Sequence, residues 1–561
     1  MVESRVHGDN PYRWLVRHAT TRPDVAAVAD WNDAGQPAWL SYRDVHRAVD
    51  VLARGLWAAG VRSGDLVLIA LPNDHTFVVT LLACVSVGAI AVPAPTPAAT
   101  RSDAFGERIR GIVADAAPRI LVTTRDSEPE LTAALNSGTG AQVVCVDTLR
   151  EHGGSAGPIK EEPADCPVAV LQYTSGSTGR PKGIVVTHQA LVANCRQAAR
   201  AYDESVDDVG VTWAPLYHDM GLVTGVMRPL FSGYRSLLMQ PRTFARSPGT
   251  WLKAIAAVRG TVSSAPNFAY ELCVRKVPPA AVRELDLSCW RLARNAGEVV
   301  RAATVDRFTA HFAAAGFAET ALCPAYGLAE ATLTVTTTTA TVRPHRLAVR
   351  RADLERGRVV LAAPGEVGTD QAVTLLSSGV PLDGTRVNLE ETPDRLGPIV
   401  IAGPQLASGY WEGAVPSAAS AEGPRPTGDV GIFHDGQLFV LGRDDDTLVF
   451  HGRKFFVADL LLACVDVPEL RPGRIAPFVS DQGEAVCVIA ELRDPQSPDG
   501  ELRRVAREVK RTLYRRADLL VQHVAFVGPL GLPVTTSGKV RVSEVRRRFE
   551  AGTLPLLTAV E

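Results

Sequence analysis

Apolar runs of strand length alternate with segments of helical periodicity from about residue 41 to about residue 338, and no other feature narrows the folds open to this chain as much. Strand-like runs fall at 66–70, 89–92, 120–123, 143–146, 169–172 and 184–186, with helix-like segments at 76–87, 105–116 and after His188. Strands joined through helices pair in parallel, so the pattern predicts an α/β fold with mostly parallel sheets. An amphipathic helix is expected from Ser41 to about Gly60. Ser41 and Asp44 stand at capping-box spacing, and Gly60 supplies the stop.

The character changes between Arg343 and Pro426, where short strands, glycines and prolines replace the helical pattern and suggest a smaller β-rich lobe. Its stretch 411–426, rich in Ala, Ser, Gly and Pro, reads as a loop. A compact α+β unit comes after it, with strands at 475–479, 485–492 and 519–526 and a helix over 499–516. That helix carries Leu502, Val505, Ala506, Val509 and Leu513 on one side and Arg503, Arg504, Arg507, Lys510 and Arg511 on the other. The basic side reads as a solvated surface or as a dock for an acidic partner.

Charge excludes some functions. The 59 basic and 61 acidic residues nearly cancel, which argues against a chain devoted to coating nucleic acid. Nine cysteines are scattered without a C-x-x-C pair, a usage suited to a reducing compartment, and the cytoplasm is expected. The polar N-terminal stretch gives no sign of a secretory signal. Between His75 and Arg101 no residue is charged, and 77–92 is largely apolar. Gly88 breaks this run and no basic cluster flanks it, so a buried helix and then a buried strand are expected rather than a membrane span.

The chemistry concentrates at Leu171-Gln-Tyr-Thr-Ser-Gly-Ser-Thr-Gly-Arg-Pro-Lys-Gly-Ile-Val-Val-Thr-His188, a strand, a hydroxyl- and glycine-rich loop, a lysine and a second strand. Glycines let backbone approach an anion, hydroxyls donate hydrogen bonds and lysine adds positive charge, so a polyphosphate fits. It is not a Walker A loop, because Pro181 precedes Lys182 and Gly183 comes directly after it. The chain has only seven lysines, at 160, 182, 253, 276, 454, 510 and 539, so a lysine at a motif position carries weight.

This loop resembles the phosphate-binding signature of the adenylate-forming superfamily: acyl-CoA synthetases, luciferases, nonribosomal adenylation domains and fatty acyl-AMP ligases. Further signatures stand in family order. Asn295-Ala-Gly-Glu298 resembles the adenine-contacting turn, and Tyr326-Gly-Leu-Ala-Glu330 the segment with an adenine-stacking aromatic and a magnesium-binding glutamate. Thr427-Gly-Asp429 resembles the ribose-binding aspartate, Gly442-Arg-Asp-Asp445 the interdomain hinge and Thr536-Ser-Gly-Lys539 the catalytic lysine loop. Trp213-Ala-Pro-Leu-Tyr-His-Asp-Met-Gly-Leu222, Ala265-Pro-Asn-Phe-Ala-Tyr-Glu-Leu-Cys273 and Leu376-Ser-Ser-Gly379 are similar to the fatty acyl-AMP ligase branch, and 348–373 resembles its insertion.

The resemblance implies a large adenylation domain over 1–442, with the β-rich lobe at about 343–442, a hinge at 443–452 around Asp445, and a small mobile domain over 453–561. It implies that Thr174, Ser175, Gly176, Ser177, Thr178, Gly179, Lys182, Gly297, Glu298, Tyr326, Gly327, Asp429 and Arg443 bind ATP. Glu330 would hold Mg²⁺, Lys539 and His218 would act with it in catalysis, and Tyr217, Met220, Gly221, Phe231 and Phe268 would line an acyl pocket. The implied reaction joins a fatty acid to AMP and passes the acyl group to the phosphopantetheine arm of an acyl carrier protein. The alternatives are transfer to coenzyme A and, from another class, a silent adenylate-binding scaffold.

Overall fold

The structure, a computed structural model, describes residues 9–32, 36–97, 102–135, 141–160, 164, 166–174, 181–340, 342–389, 396–413, 423–465, 467–480, 485–534 and 540–560. Two compact units emerge. The first comprises Met1–His345, Ser377–Val387 and Ile401–Arg425; the second Arg346–Leu376, Asn388–Val400 and Pro426–Glu561. The stretch 343–426 therefore contributes to both.

In the first unit local signals become elements where expected. The helix Tyr42–Ala58 starts at a reciprocal capping box between Ser41 and Asp44, and the chain turns away at Gly60 with φ +85°. The uncharged run is the buried twelve-residue helix His75–Ser86, capped by the Asp74 carboxylate, then Gly88 with φ +73° and the buried strand Ile90–Pro93. Among the described residues no helix is long and apolar enough to cross a membrane.

Two sheets form the first unit's frame. A six-stranded sheet runs Gln142–Cys145, Ile120–Thr123, Leu66–Ala70, Ile90–Pro93, Val168–Thr174 and Lys182–Thr187. All neighbours are parallel except the last pair, where Thr174 stands opposite Lys182. A nine-stranded sheet contains the parallel series Leu322–Gly327, Leu292–Asn295, Val262–Ala265, Val209–Thr212, Arg235–Leu238 and Ala26–Asp30. Strands covered on both faces are apolar throughout, and Leu66–Ala70 is buried at every position.

The second unit holds the antiparallel pair Arg346–Arg350 and Ala372–Leu376 and the hairpin Arg425–His434 with Gln437–Arg443. A four-stranded sheet runs Leu470–Val479, Val486–Leu492, His523–Val527 and Leu556–Val560. The helix Asp499–Ala517 buries Leu502, Val505, Ala506, Val509 and Leu513 as its periodicity predicts. Its outer face keeps Arg503, Arg504, Arg507 and Arg511 in solvent, with Arg504 paired to Glu469 and Arg511 to Glu508.

Candidate active site

In parallel α/β sheets functional segments collect beyond the carboxyl ends of the strands. Four neighbouring strands of the nine-stranded sheet obey this rule. Val209–Thr212 leads into Trp213–Leu222, Val262–Ala265 into Phe268, Leu292–Asn295 into Gly297 and Glu298, and Leu322–Gly327 ends in Tyr326 and Gly327 ahead of Glu330. Segments up to about 110 residues apart in sequence thus arrive at one edge because their strands are neighbours.

Side-chain contacts join these segments. Gly297 adopts φ +84°, and a Cβ there would lie 3.0 Å from the Met220 methyl carbon. The backbone N–H of Phe268 donates to the Glu298 carboxylate, tying the expected acyl and adenine segments together. Phe268 is 47% exposed, with its ring edge-on to Trp213 at 6.3 Å. Trp213 is buried and stacked on Phe244 at 3.7 Å, with Trp251 behind both, so an aromatic wall backs this edge. Tyr217 is buried, and burial pushes its phenol pKa up against the opposing pull of Arg108. The Gln172 amide donates to the Tyr217 carbonyl at 2.7 Å, linking this edge to the strand that enters the phosphate-type loop. His218 is half-buried beside Tyr217, with ring centroids 4.8 Å apart. Gly221 packs so closely that a Cβ would sit 2.1 Å from the Pro215 carbonyl oxygen.

Asn73, which sequence reasoning missed, fixes the start of this segment. Its amide nitrogen donates to the Ala214 carbonyl at 2.8 Å, and its oxygen accepts from the Leu216 N–H at 2.9 Å. A polar residue directly after the buried strand Leu66–Ala70 and its Leu71-Pro72 exit was the available signal.

Glu330 lies in the short turn Ala329–Ala331, succeeded by Thr332 at φ +64°, an outlier for a β-branched residue. The Thr332 hydroxyl donates to the Gln405 carbonyl at 2.8 Å and holds the turn. Tyr410, also missed, donates its phenol to Glu330 Oε1 at 3.1 Å, while the Lys182 ammonium stands 5.4 Å from the centre of its ring. Segment 407–411 runs beside the strand Lys182–Thr187, so Lys182 and Glu330 reach the same tyrosine.

Gly327 is obligatory on geometry, since a Cβ there would fall 1.8 Å from the Leu333 carbonyl oxygen. Gly327→Ala is expected to destabilise the protein by about 1–3 kcal/mol through this overlap. A urea titration measures that loss, and an unchanged midpoint would show that the turn yields without cost.

Phe231 packs edge-on against Trp14 at 5.0 Å, in the core built on the first helix. A π-helix, Val223–Met227, intervenes after His218, and its extra residue shifts the phase of the succeeding helix Arg228–Ser232 by about 100°. Asp429, Arg443 and Asp445 belong to the second unit. Asp429 stands opposite Arg443 in the hairpin, and Arg443 Nε donates to Asp445 at 2.8 Å. Ser175, Gly176, Ser177, Thr178, Gly179, Lys539 and residues 414–422 of the loop expected at 411–426 lie outside the described residues.

Residues 15–411 match the family described as AMP-binding enzyme. The chain is 33% identical over 542 residues to a medium-chain-fatty-acid–[acyl-carrier-protein] ligase of Moorena producens, covering 92% of this chain and 90% of that protein. It is 34% identical over 575 residues to a 4-hydroxyphenylalkanoate adenylyltransferase of Mycobacterium tuberculosis, covering 95% and 91%. Among solved structures, one from studies of fatty acyl-adenylate ligases of E. coli and L. pneumophila matches with TM-score 0.88 and 27% identity, over 97% of this chain and 98% of that one.

Proposed function

The chain belongs to the AMP-binding enzyme family, and from that premise we propose that it activates a fatty or related aliphatic carboxylic acid with ATP and loads the acyl group onto the phosphopantetheine thiol of an acyl carrier protein. The observation that carries the reading is the junction of Met220 with Gly297 and of Phe268 with Glu298, which sets an apolar wall against a nucleotide-type turn.

In the proposed reaction an acid oxygen attacks the α-phosphorus of ATP, the acyl–O–P bond forms, and the bond to pyrophosphate breaks. Both reactants are anions, so the protein's work is positioning and electrostatic stabilisation. Lys182 and Thr174, with Ser175, Gly176, Ser177, Thr178 and Gly179, would hold the departing phosphates. Lys539 would stand between the acid and the α-phosphate. Tyr326 would stack on adenine, with Gly297, Glu298 and Gly327 around it, and Asp429 and Arg443 would bind the ribose side. His218, Tyr217, Met220, Gly221 and Phe268 would border the acid, and movement about 443–452, at Asp445, would exchange adenylation for transfer.

Mg²⁺ suits Glu330. Among the described residues no group of three or more potential ligands is clustered, and one carboxylate beside a polyphosphate site is how Mg²⁺ is commonly held. When bound it neutralises phosphate oxygens. The nine free cysteines are consistent with a reducing compartment, and the cytoplasm is the proposed location.

The test is pyrophosphate exchange across a panel of carboxylic acids, then mass spectrometry with holo-carrier protein or CoA offered. Exchange with aliphatic acids and acylation of the carrier are expected. A CoA thioester as the sole product would replace the acceptor, and nucleotide binding without exchange would overturn the activity.

A further inference from the structure

We propose that Tyr410 is a positioning residue that aligns Glu330 for a divalent cation and Lys182 for a polyphosphate, so that the two groups form one preassembled unit. The inference rests on the reading of Glu330 and Lys182 given above and goes beyond it. Tyr410 is 49% exposed, yet its backbone is held from two sides. Ser408 N–H donates to the Val185 carbonyl at 2.9 Å, Val185 N–H to Gly409 at 2.9 Å, and Trp411 N–H to Gly183 at 2.7 Å. Ala407 N–H donates to the Glu330 carbonyl at 2.9 Å, so the same short segment grips both the lysine strand and the glutamate turn. Gly409 at φ +138° permits the bend that presents the tyrosine.

The side chain completes what the backbone begins. Its phenol donates to Glu330 Oε1 at 3.1 Å, which restrains an otherwise rotatable carboxylate and leaves Oε2 for a cation. Its ring face lies 5.4 Å from the Lys182 ammonium, within the range in which an aromatic quadrupole attracts a cation. One residue thus restrains the anion that receives a metal and the cation that receives phosphate, whose positions are 148 apart in sequence. Preorganisation of this kind lowers the ordering cost of binding.

The two functions of the side chain separate in two variants. Tyr410→Phe removes the hydrogen bond and keeps the ring; Tyr410→Leu removes both. Mn²⁺ serves as the probe, its affinity for the protein–ATP complex read by electron paramagnetic resonance. ATP affinity is read by calorimetry in EDTA. Tyr410→Phe is expected to weaken Mn²⁺ binding about tenfold, as loss of an outer partner of a metal ligand does, with metal-free ATP affinity unchanged. Tyr410→Leu is expected to weaken Mn²⁺ similarly and metal-free ATP binding about two- to fivefold. Glu330→Gln is measured alongside. If it weakens Mn²⁺ binding and Tyr410→Phe does not, the Tyr410 assignment is overturned while the reading of Glu330 stands. If Glu330→Gln keeps wild-type Mn²⁺ affinity, the metal reading and this proposal fall together.

Discussion

Glu204→Ala is expected to lower the free energy of unfolding by about 3–5 kcal/mol, because it removes the carboxylate that compensates two buried guanidinium groups. The Glu204 side chain is 0% exposed, Arg228 is 1% and Arg294 4% exposed. Arg228 pairs with Glu204 Oε1, and Arg294 Nη1 meets the same oxygen at 2.9 Å. Ser232 donates to Oε2 at 3.2 Å, and the Tyr202 ring lies 4.7 Å from one guanidinium carbon and 5.2 Å from the other. Buried Arg228 Nη1 and Arg294 Nε have no hydrogen-bond partner among the described residues, and Glu204 is the carboxylate that both guanidinium groups share. The network also bears on the site. Arg294 precedes Asn295 at the exit of the strand that presents Gly297 and Glu298, and Arg228 and Ser232 bound the helix directly after the π-turn. Glu204→Gln keeps the volume and one acceptor oxygen for the guanidinium groups, so its loss should be smaller. Urea unfolding of both variants is the measurement. An unfolding free energy for Glu204→Ala within about 1 kcal/mol of wild type would mean that water or local rearrangement neutralises the arginines.

Local chemistry was legible in the sequence, and long-range convergence was only partly so. The capping box at Ser41 and Asp44, the Gly60 stop and the buried face of the helix Asp499–Ala517 depend on neighbours within a few turns, and periodicity exposes them. The strands on either side of the phosphate-type loop were likewise visible, because apolar runs bounded by polar turns are local signals. Tyr410 was not, since its meaning comes from pairing with a strand more than 220 residues earlier in the chain. Asn73 was hidden for the same reason, its partners lying 141 and 143 positions away. Phe231 is a further case, since its contact with Trp14 joins positions more than 200 apart and the π-helix Val223–Met227 before it leaves no local signal. The division of 343–426 between two compact units is also a property of contacts rather than of composition.

Lys539→Ala is expected to slow acyl-adenylate formation by about a hundred- to a thousandfold, the scale on which removal of one preorganised charge or donor at a developing anion acts. The expected effect is electrostatic. As the acid oxygen approaches phosphorus, negative charge accumulates between two groups that already repel, and a cation there gains more in the transition state than in the bound substrates. A residue that acts in this way lowers kcat and kcat/KM together and leaves ATP affinity nearly unchanged. Val534 and Val540 form an antiparallel bridge, and Arg541 N–H donates to the Pro533 carbonyl at 2.9 Å. Lysine rather than arginine at this position, in a chain with seven lysines among 59 basic residues, agrees with a compact point charge in place of a planar fork. Transfer from supplied acyl-AMP to the acceptor involves no substitution at phosphorus, so that half-reaction should persist in the variant. Pyrophosphate release and acyl transfer from preformed adenylate, measured separately, distinguish the cases. Loss of the first with retention of the second assigns Lys539 to the adenylation step, equal loss of both points to a general folding defect, and pyrophosphate release at the wild-type rate would remove Lys539 from the reaction.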